Sequence, residues 1–245
     1  MHCQPDYKHQ VYIWLKNNHT CLICDELAQS ADCVCNACET ELPWLLTHCA
    51  VCALPLPMAG LICGECQKHP PAFKQVVAPW TFSFPVDTLI ARFKHQARWP
   101  LGHLLGRMLG QHVQHRFDNA ELTRPDCLLP VPMAVKRLRE RGYNQAQMLA
   151  QWLSQQLGIS VEEHLLLRPH ETVAQQALDA KTRRRNLLAA FALAPAAQVQ
   201  GRHFALVDDV LTTGATAHSL ARLLMDAGAR QVDVYCLART PKPGT

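Results

Sequence analysis

The sequence has no long hydrophobic run and few aromatic residues, which make up only 7% of its 245 positions. No stretch approaches the roughly 20 apolar residues that a membrane-spanning helix requires. Residues 1–8 also lack the charged-then-apolar plan of a secretory signal peptide. Since charged residues are not in excess and no low-complexity tract occurs, we expect a globular chain of one or two domains, with no membrane span.

Several kinds of functional site are missing as well. No Ser–His or Cys–His constellation is apparent, and the thirteen histidines show no metal-ligand spacing. A net charge of +4 is only mildly basic, so by itself it is weak support for nucleic-acid binding. The cysteines and one Thr/Gly-rich run remain as the informative features.

Cysteine is nearly absent from the second half of the chain. Ten of the twelve cysteines lie at or before Cys66, and only Cys127 and Cys236 follow. This shift predicts a small module ahead of a larger domain, with a boundary near residues 68–74, where two prolines interrupt. We expect a tail at 1–20, a cysteine module at 21–72 and the larger domain at 73–245. Twelve cysteines without an export signal favour the reducing cytoplasm, where thiols serve as metal ligands more often than as disulfides.

The cysteine module contains four Cys-x-x-Cys pairs. The pairs are Cys21/Cys24, Cys35/Cys38, Cys49/Cys52 and Cys63/Cys66. A Cys-x-x-Cys turn aims two thiolates at one tetrahedral ion, so four pairs fit two structural zinc sites with four cysteine ligands each. Sequential pairing, a double zinc ribbon, is the simpler arrangement; interleaved pairing fits the spacing too, and Cys33 could displace a ligand. A redox role is the competing interpretation, and the metals are expected to replace a hydrophobic core that is too small to form.

The larger domain alternates between apolar runs and amphipathic stretches. Predicted strands are 80–84, 127–131, 165–167, 204–207 and 232–237, and predicted helices are 101–113, 145–157 and 217–227. Strands separated by helices indicate an α/β fold with a parallel sheet flanked by helices. Ligands in such folds bind over the carboxyl ends of the strands.

A run at one such strand end, Val207–Thr216, combines two carboxylates with a Thr/Gly loop that opens a predicted helix. Unpaired N–H groups and the helix dipole at that point suit a phosphate, and acidic side chains at the end of the strand suit sugar hydroxyls. No Gly-Lys-Ser/Thr sequence closes the run, so it is not a Walker A loop. The run therefore indicates a pocket for a phosphorylated sugar, against the alternative of an ordinary strand–turn–helix with an acidic rim.

The run resembles the loop that binds phosphoribosyl pyrophosphate (PRPP) in type I phosphoribosyltransferases. The resemblance implies that Asp208 and Asp209, the expected catalytic pair, hold the ribose hydroxyls, and that Mg²⁺ accompanies PRPP. It assigns the 5′-phosphate to Thr212, Thr213, Gly214, Ala215 and Thr216. A parallel sheet of this type, preceded by the zinc-ribbon module, is the expected architecture.

A second segment, 130–145, follows another predicted strand and carries Lys136, Arg137, Arg139 and Arg141 before Gly142. In type I phosphoribosyltransferases the corresponding early loop binds the pyrophosphate, which Arg can grip in bidentate fashion. A solvated basic turn is an equally good interpretation of this segment by itself.

A third segment, 172–191, resembles in position and content the mobile loop that closes over PRPP, with Arg183 and Arg184 as its cations. Together with Arg-Gly-Tyr-Asn-Gln at 141–145, the Asp208–Thr216 loop and the leading Cys-x-x-Cys pairs, it identifies the chain as similar to the ComF/GntX family. Lys94 also falls where that family often carries a lysine. The resemblance covers residues 21–239.

The resemblance to this family implies a cytoplasmic protein that acts in the uptake or utilisation of DNA and handles single-stranded DNA, with DNA-uptake proteins as partners. Two alternatives remain: a PRPP-dependent phosphoribosyltransferase of nucleotide salvage, and a non-catalytic sensor of PRPP or nucleotides. The acceptor is not named by the sequence. Residues 239–245 are too few to form the hood that usually recognises the base, and the zinc module could occupy its place.

Overall fold

The computed structural model describes residues 19–28, 33–169 and 190–242. These residues divide into two compact units, one that ends at Leu42 and one that begins at Pro43. The helices are α1 (Asn36–Thr40), α2 (Gly64–Lys68), α3 (Val86–Gln96), α4 (Trp99–Asp118), α5 (Val135–Arg141), α6 (Gln145–Leu157) and α7 (Ala215–Asp226). The strands are β1 (His19–Thr20), β2 (Leu27–Ala28), β3 (Val76–Val77), β4 (Trp80–Thr81), β5 (Cys127–Pro130), β6 (Leu166–Leu167), β7 (Ala192–Leu193), β8 (His203–Leu211) and β9 (Gln231–Arg239).

The first unit is small and is built around cysteines. Strands β1 and β2 pair antiparallel, and helix α1 follows Cys35, whose sulfur accepts a hydrogen bond from the Cys38 N–H group. Asp25 and Cys33 adopt the left-handed backbone conformation, with φ of 63° and 54°. So short a segment buries little apolar surface, and modules of this size commonly gain their folding free energy from a bound metal ion.

The second unit is organised by a parallel sheet in the order β3-β9-β8-β5. Strands β3 and β4 both pair with β9, at Val234–Tyr235 and Ala238–Arg239, and so form one interrupted edge. The two central strands, β8 and β9, are nearly continuous runs of buried apolar residues, as expected for strands that are covered on both faces. The predicted parallel sheet flanked by helices is confirmed.

Helices cover the two faces of this sheet. Leu220 and Leu224 of α7 share a core with Leu206, Val234 and Cys236. Because side chains alternate along a strand, the intervening residues of β9 point to the opposite face, where α4 packs. Among the described residues, no helix is long and apolar enough to cross a bilayer.

Two predicted elements differ in the structure. The strand expected at 165–167 is β6, which pairs antiparallel with β7 in a separate two-stranded sheet and takes no part in the parallel sheet. The basic stretch expected as a loop is helix α5, and Gly142 ends it in the left-handed conformation with φ of 83°. The predicted domain boundary near residues 68–74 stays a prediction, and the chain divides into its two compact units between Leu42 and Pro43.

Candidate functional site

The Thr/Gly loop joins the end of β8 to the start of α7. Gly214 has φ of 77°, a conformation that side-chain-bearing residues rarely adopt, and α7 begins at the next residue. Thr212 and Thr213 are exposed, and the hydroxyl oxygen of Thr213 accepts a hydrogen bond from the Ala215 N–H group at 3.3 Å. The N–H groups of the first turn of a helix lack intrahelical partners and sit at the positive end of its dipole, so an anion fits here.

The two aspartates lie just before this loop, near the carboxyl end of β8. Asp209 is 8% exposed, and its Oδ2 atom lies 2.9 Å from Nζ of Lys94 on α3. The Asp208 carboxylate accepts a hydrogen bond from the Asp209 N–H group at 2.8 Å. Burial, and then the neighbouring charge of Asp209, raise the pKa of Asp208 to about 7. The pair is therefore a concentrated negative charge with one cation beside it.

Tyr143 and Asn144 connect the segment after β5 to the helix that carries Lys94. The Tyr143 hydroxyl donates to the Phe93 carbonyl, next in sequence to Lys94. The Asn144 side chain donates to the Val131 carbonyl at 3.1 Å and caps α6 by accepting from the Ala146 N–H group at 3.0 Å. These bonds hold the strand end, the basic segment and the Lys94 helix together on the Asp208 side of the sheet.

The basic residues of α5 are surface residues. Lys136, Arg137 and Arg139 are exposed and Arg141 is half-buried. Among the described residues, no hydrogen bond or ion pair joins α5 to Asp208 or Asp209. The predicted Arg183 and Arg184 lie outside the described residues.

Arg239, at the end of β9, is a residue that sequence reasoning missed. It is 7% exposed, and within the described part of the chain its guanidinium donates to four backbone carbonyls: those of Cys52 at 2.9 Å, Leu211 at 3.1 Å, Thr240 at 2.7 Å, and Thr212. Its signal in the sequence is a charged residue directly after the apolar run Val234–Ala238. The bonds to Leu211 and Thr212 fix the start of the Thr/Gly loop.

A cleft of about 560 Å³ is lined by the Thr/Gly loop and by cysteines of the last two Cys-x-x-Cys pairs. Thr212 and Gly214 line one side, Cys63 and Cys66 line the other, and Arg239 lies between them. Its size is within the range of small-molecule sites.

The Cys-x-x-Cys pairs form two groups of four in sequential order, and Cys33 belongs to neither group. One group is Cys21, Cys24, Cys35 and Cys38, and the other is Cys49, Cys52, Cys63 and Cys66. Within each group the sulfur atoms lie within 4.8 Å of one another, and Cys52 and Cys63 are 3.7 Å apart. Tetrahedral thiolates around zinc are about 3.8 Å apart, from Zn–S bonds of about 2.3 Å. Each group therefore fits a tetrahedral metal ion.

The backbone around Cys49 favours the ligating form of that one thiol. Burial opposes ionisation of Cys49, but hydrogen bonds from the backbone at Cys52, Cys63 and Val51 outweigh it and lower the pKa of the Cys49 thiol to about 7. The Cys63 N–H group donates to the Cys49 sulfur at 3.3 Å. Thiolates are the form that binds metal.

Comparison with known proteins identifies the family. The DNA utilization protein YhgH of Escherichia coli O157:H7 is 37% identical over 207 residues, 84% of this chain and 90% of that protein. Competence protein F of Haemophilus influenzae is 34% identical over 224 residues, 91% of this chain and 97% of that protein. The chain belongs to the ComF/GntX family.

Other comparisons add less to the ComF/GntX assignment. Competence protein ComFC of Bacillus subtilis is 25% identical over 240 residues, 90% of this chain and 95% of that protein. No family model matches the chain. Among solved structures, a purine phosphoribosyltransferase from Pyrococcus horikoshii aligns with 58% of this chain and 76% of its own, at 16% identity and a TM-score of 0.37. A TM-score this low adds nothing to what the sheet topology already shows.

Proposed function

We propose that this ComF/GntX protein binds PRPP, or another ligand that contains ribose 5-phosphate, and acts in the uptake or utilisation of DNA. The observation that carries the proposal is the Asp208/Asp209 pair, held beside Lys94 and followed at once by the Gly214 turn into α7. Carboxylates accept hydrogen bonds from sugar hydroxyls, and the helix start accepts a phosphate. One strand end and one turn thus offer both halves of a site for ribose 5-phosphate.

In this proposal Asp208 and Asp209 orient the ribose, while Thr212, Thr213 and Thr216 surround the phosphate. Mg²⁺ with PRPP would supply positive charge to the pyrophosphate, and carboxylate and phosphate oxygens are the ligands that this ion prefers. Lys94 reduces the repulsion between the aspartates and an incoming anion, since its ammonium lies on Asp209. No nucleophilic side chain is required for binding.

Thermal unfolding tests the pocket. PRPP with Mg²⁺ should raise the melting temperature of the wild type, because a ligand that binds only the folded state stabilises it. The double variant Asp208→Asn/Asp209→Asn should lose the shift, while Asp226→Asn, an exposed aspartate on α7 paired with Arg222, should keep it. A wild type that shows no shift would exclude the pocket.

The two alternatives differ in the fate of the bound ligand. A phosphoribosyltransferase of nucleotide salvage releases pyrophosphate when an acceptor is present, whereas a sensor of PRPP or nucleotides binds without turnover. Pyrophosphate release should therefore be measured with bases, nucleosides and single-stranded DNA as acceptors. Release with any of them supports the transferase, and binding without release supports the sensor.

The role in DNA handling is supported by a surface that Tyr143 links to the helix carrying Lys94. Trp99, at the start of α4, is 53% exposed, and its ring meets that of Tyr143 edge-on at 6.1 Å. Arg98, the residue before Trp99, is exposed. The cations of α5 come shortly before Tyr143 in the sequence. No ion pair among the described residues engages Arg98 or the cations of α5. An exposed ring among cations suits single-stranded nucleic acid, whose bases stack and whose phosphates need counter-charge.

Binding of a fluorescent single-stranded oligonucleotide tests this surface. Trp99→Ala should weaken binding about 5- to 100-fold, as expected for loss of base stacking. Phe84→Ala is the matched control, because Phe84 is an exposed ring that precedes α3, whereas Trp99 follows it. Replacing Arg137, Arg139 and Arg141 with Ala should reduce the slope of log affinity against log salt by about 2. Oligonucleotide affinity that changes neither with salt concentration nor in Trp99→Ala would contradict the proposed DNA-binding surface.

A further inference from the structure

Arg239 joins two parts of the second unit that lie far apart in the sequence. Its Nε atom donates to the carbonyl of Cys52, and its Nη1 atom donates to the carbonyls of Leu211 and Thr212. Cys52 belongs to the second four-cysteine group, and Thr212 begins the Thr/Gly loop. We call the turn Cys49–Ala53, with the four-cysteine group that it serves, the second knuckle. The buried side chain of Arg239 thus contacts both the second knuckle and the proposed phosphate site.

The geometry of these bonds matters because the guanidinium of Arg239 is a buried charge. Within the described residues it has no carboxylate partner, and a buried cation is costly unless its hydrogen bonds are well formed. Five donors in a planar fork can reach carbonyls of several segments at once, which a lysine ammonium cannot reproduce. A shift of the Cys52 carbonyl therefore disturbs the whole set of bonds.

The position of the Cys52 carbonyl depends on the fold of the second knuckle, to which Cys52 belongs. It lies in the turn between Cys49 and Ala53, where the Ala53 N–H group donates to the Cys49 carbonyl at 3.0 Å and Ala53 has φ of 54°. Four thiolates gathered on one metal ion hold such a turn closed, and without the ion the thiols take up protons and the turn loses its four metal–sulfur bonds.

We infer that Arg239 is a positioning residue through which the second four-cysteine site sets the affinity of the Thr/Gly loop for its phosphate ligand. The inference rests on the proposed PRPP site. A loaded knuckle holds the Cys52 carbonyl, Arg239 then holds the Thr212 carbonyl, and the N–H groups at the start of α7 face the ligand. Loss of one charge-assisted bond of this kind corresponds to about a tenfold change in affinity or more.

The two cysteine groups provide a matched comparison within one chain. The variant Cys49→Ser/Cys66→Ser should lose one equivalent of metal and bind PRPP about tenfold more weakly by titration calorimetry. The variant Cys21→Ser/Cys38→Ser should also lose one equivalent of metal, measured by a zinc-release dye, and should bind PRPP as the wild type does. Equal PRPP affinity in the two variants would overturn the inference.

Arg239→Lys separates positioning from folding if the second-site variant fails to fold. It should keep both metal equivalents and its affinity for single-stranded DNA, and it should bind PRPP about tenfold more weakly. Arg222→Lys, at an exposed arginine of α7, is the control that should change none of these. Unchanged PRPP affinity in Arg239→Lys would overturn the inference. A wild type that does not bind PRPP would instead overturn the proposed function on which it rests.

Discussion

Asp208 is the residue whose environment conflicts most with its ordinary chemistry. It is surrounded by Asp209, by Lys94 on α3 and by the buried thiol of Cys236 on β9. A carboxyl group normally ionises near pH 4, but burial and the charge of Asp209 raise this pKa to about 7. Keeping this carboxylate charged in the folded protein therefore costs stability. Such destabilised groups are expected where a site is arranged to bind a ligand.

The raised pKa predicts how stability depends on pH. The folded protein binds this proton more tightly than the unfolded chain does, so the contribution of Asp208 is fully present below about pH 4 and is lost as pH rises to about 7. Asp208→Asn mimics the protonated form. It should raise the melting temperature of the ligand-free protein at pH 8 by about 4–8 °C, for a gain on the order of 2 kcal/mol.

The same change should have less effect at pH 5, where Asp208 is already largely protonated in the folded state. Calorimetry of Asp208→Asn and of Asp226→Asn, across this pH range, checks the expectation. A gain that is the same at pH 5 and pH 8, or a loss of stability at pH 8, would show that the charge of Asp208 does not strain the fold.

Residues whose role is local could be predicted from the sequence. The two groups of four cysteines follow from the Cys-x-x-Cys spacing. The Asp208/Asp209 pair follows from its place between an apolar strand and a Thr/Gly turn. Arg239 could not be predicted in this way, because its partners come from Cys52, Leu211 and Thr212. Only the folded chain brings those carbonyls together.

Elements were predictable where the sequence marks their ends. Helix α6 has the predicted bounds, since Asn144 caps its start and Gly158, with φ of 66°, ends it. Helix α5 was missed because a short, strongly cationic segment with no buried residue shows no apolar period. Strand β6 was assigned to the wrong sheet because a run of three leucines does not reveal its partner, which is β7.

The helical form of α5 bears on how its cations could contact DNA. As a helix that Gly142 ends, α5 carries its cations at regularly spaced backbone positions just before Tyr143. Several cations along one helix suit a chain of successive phosphates, which supports the proposed contact with single-stranded DNA.

Across the whole molecule, the two cysteine groups belong to different units. The second group is part of the same unit as the sheet: Leu45 and Ala53 share its core, and the Val76 N–H group donates to the Val51 carbonyl at 2.9 Å. Cysteine composition separates residues 21–72 from the rest, but it does not reveal which core a knuckle packs against. The division between Leu42 and Pro43 follows from these contacts.

Truncation at the two boundaries should therefore have opposite results. A chain of residues 43–245 retains the second cysteine group, the sheet and Arg239, and it should fold, bind one equivalent of metal and keep the PRPP-dependent melting shift. A chain of residues 73–245 loses Leu45, Ala53 and the Cys52 carbonyl, which exposes core surface and leaves Arg239 buried with fewer acceptors. It should fail to show a cooperative melting transition, because large cavities and uncompensated buried charge are among the most destabilising changes known. Melting curves and metal content of the two chains decide the matter: if 73–245 folds and binds PRPP as 43–245 does, the second knuckle is an independent module and does not help to form the site.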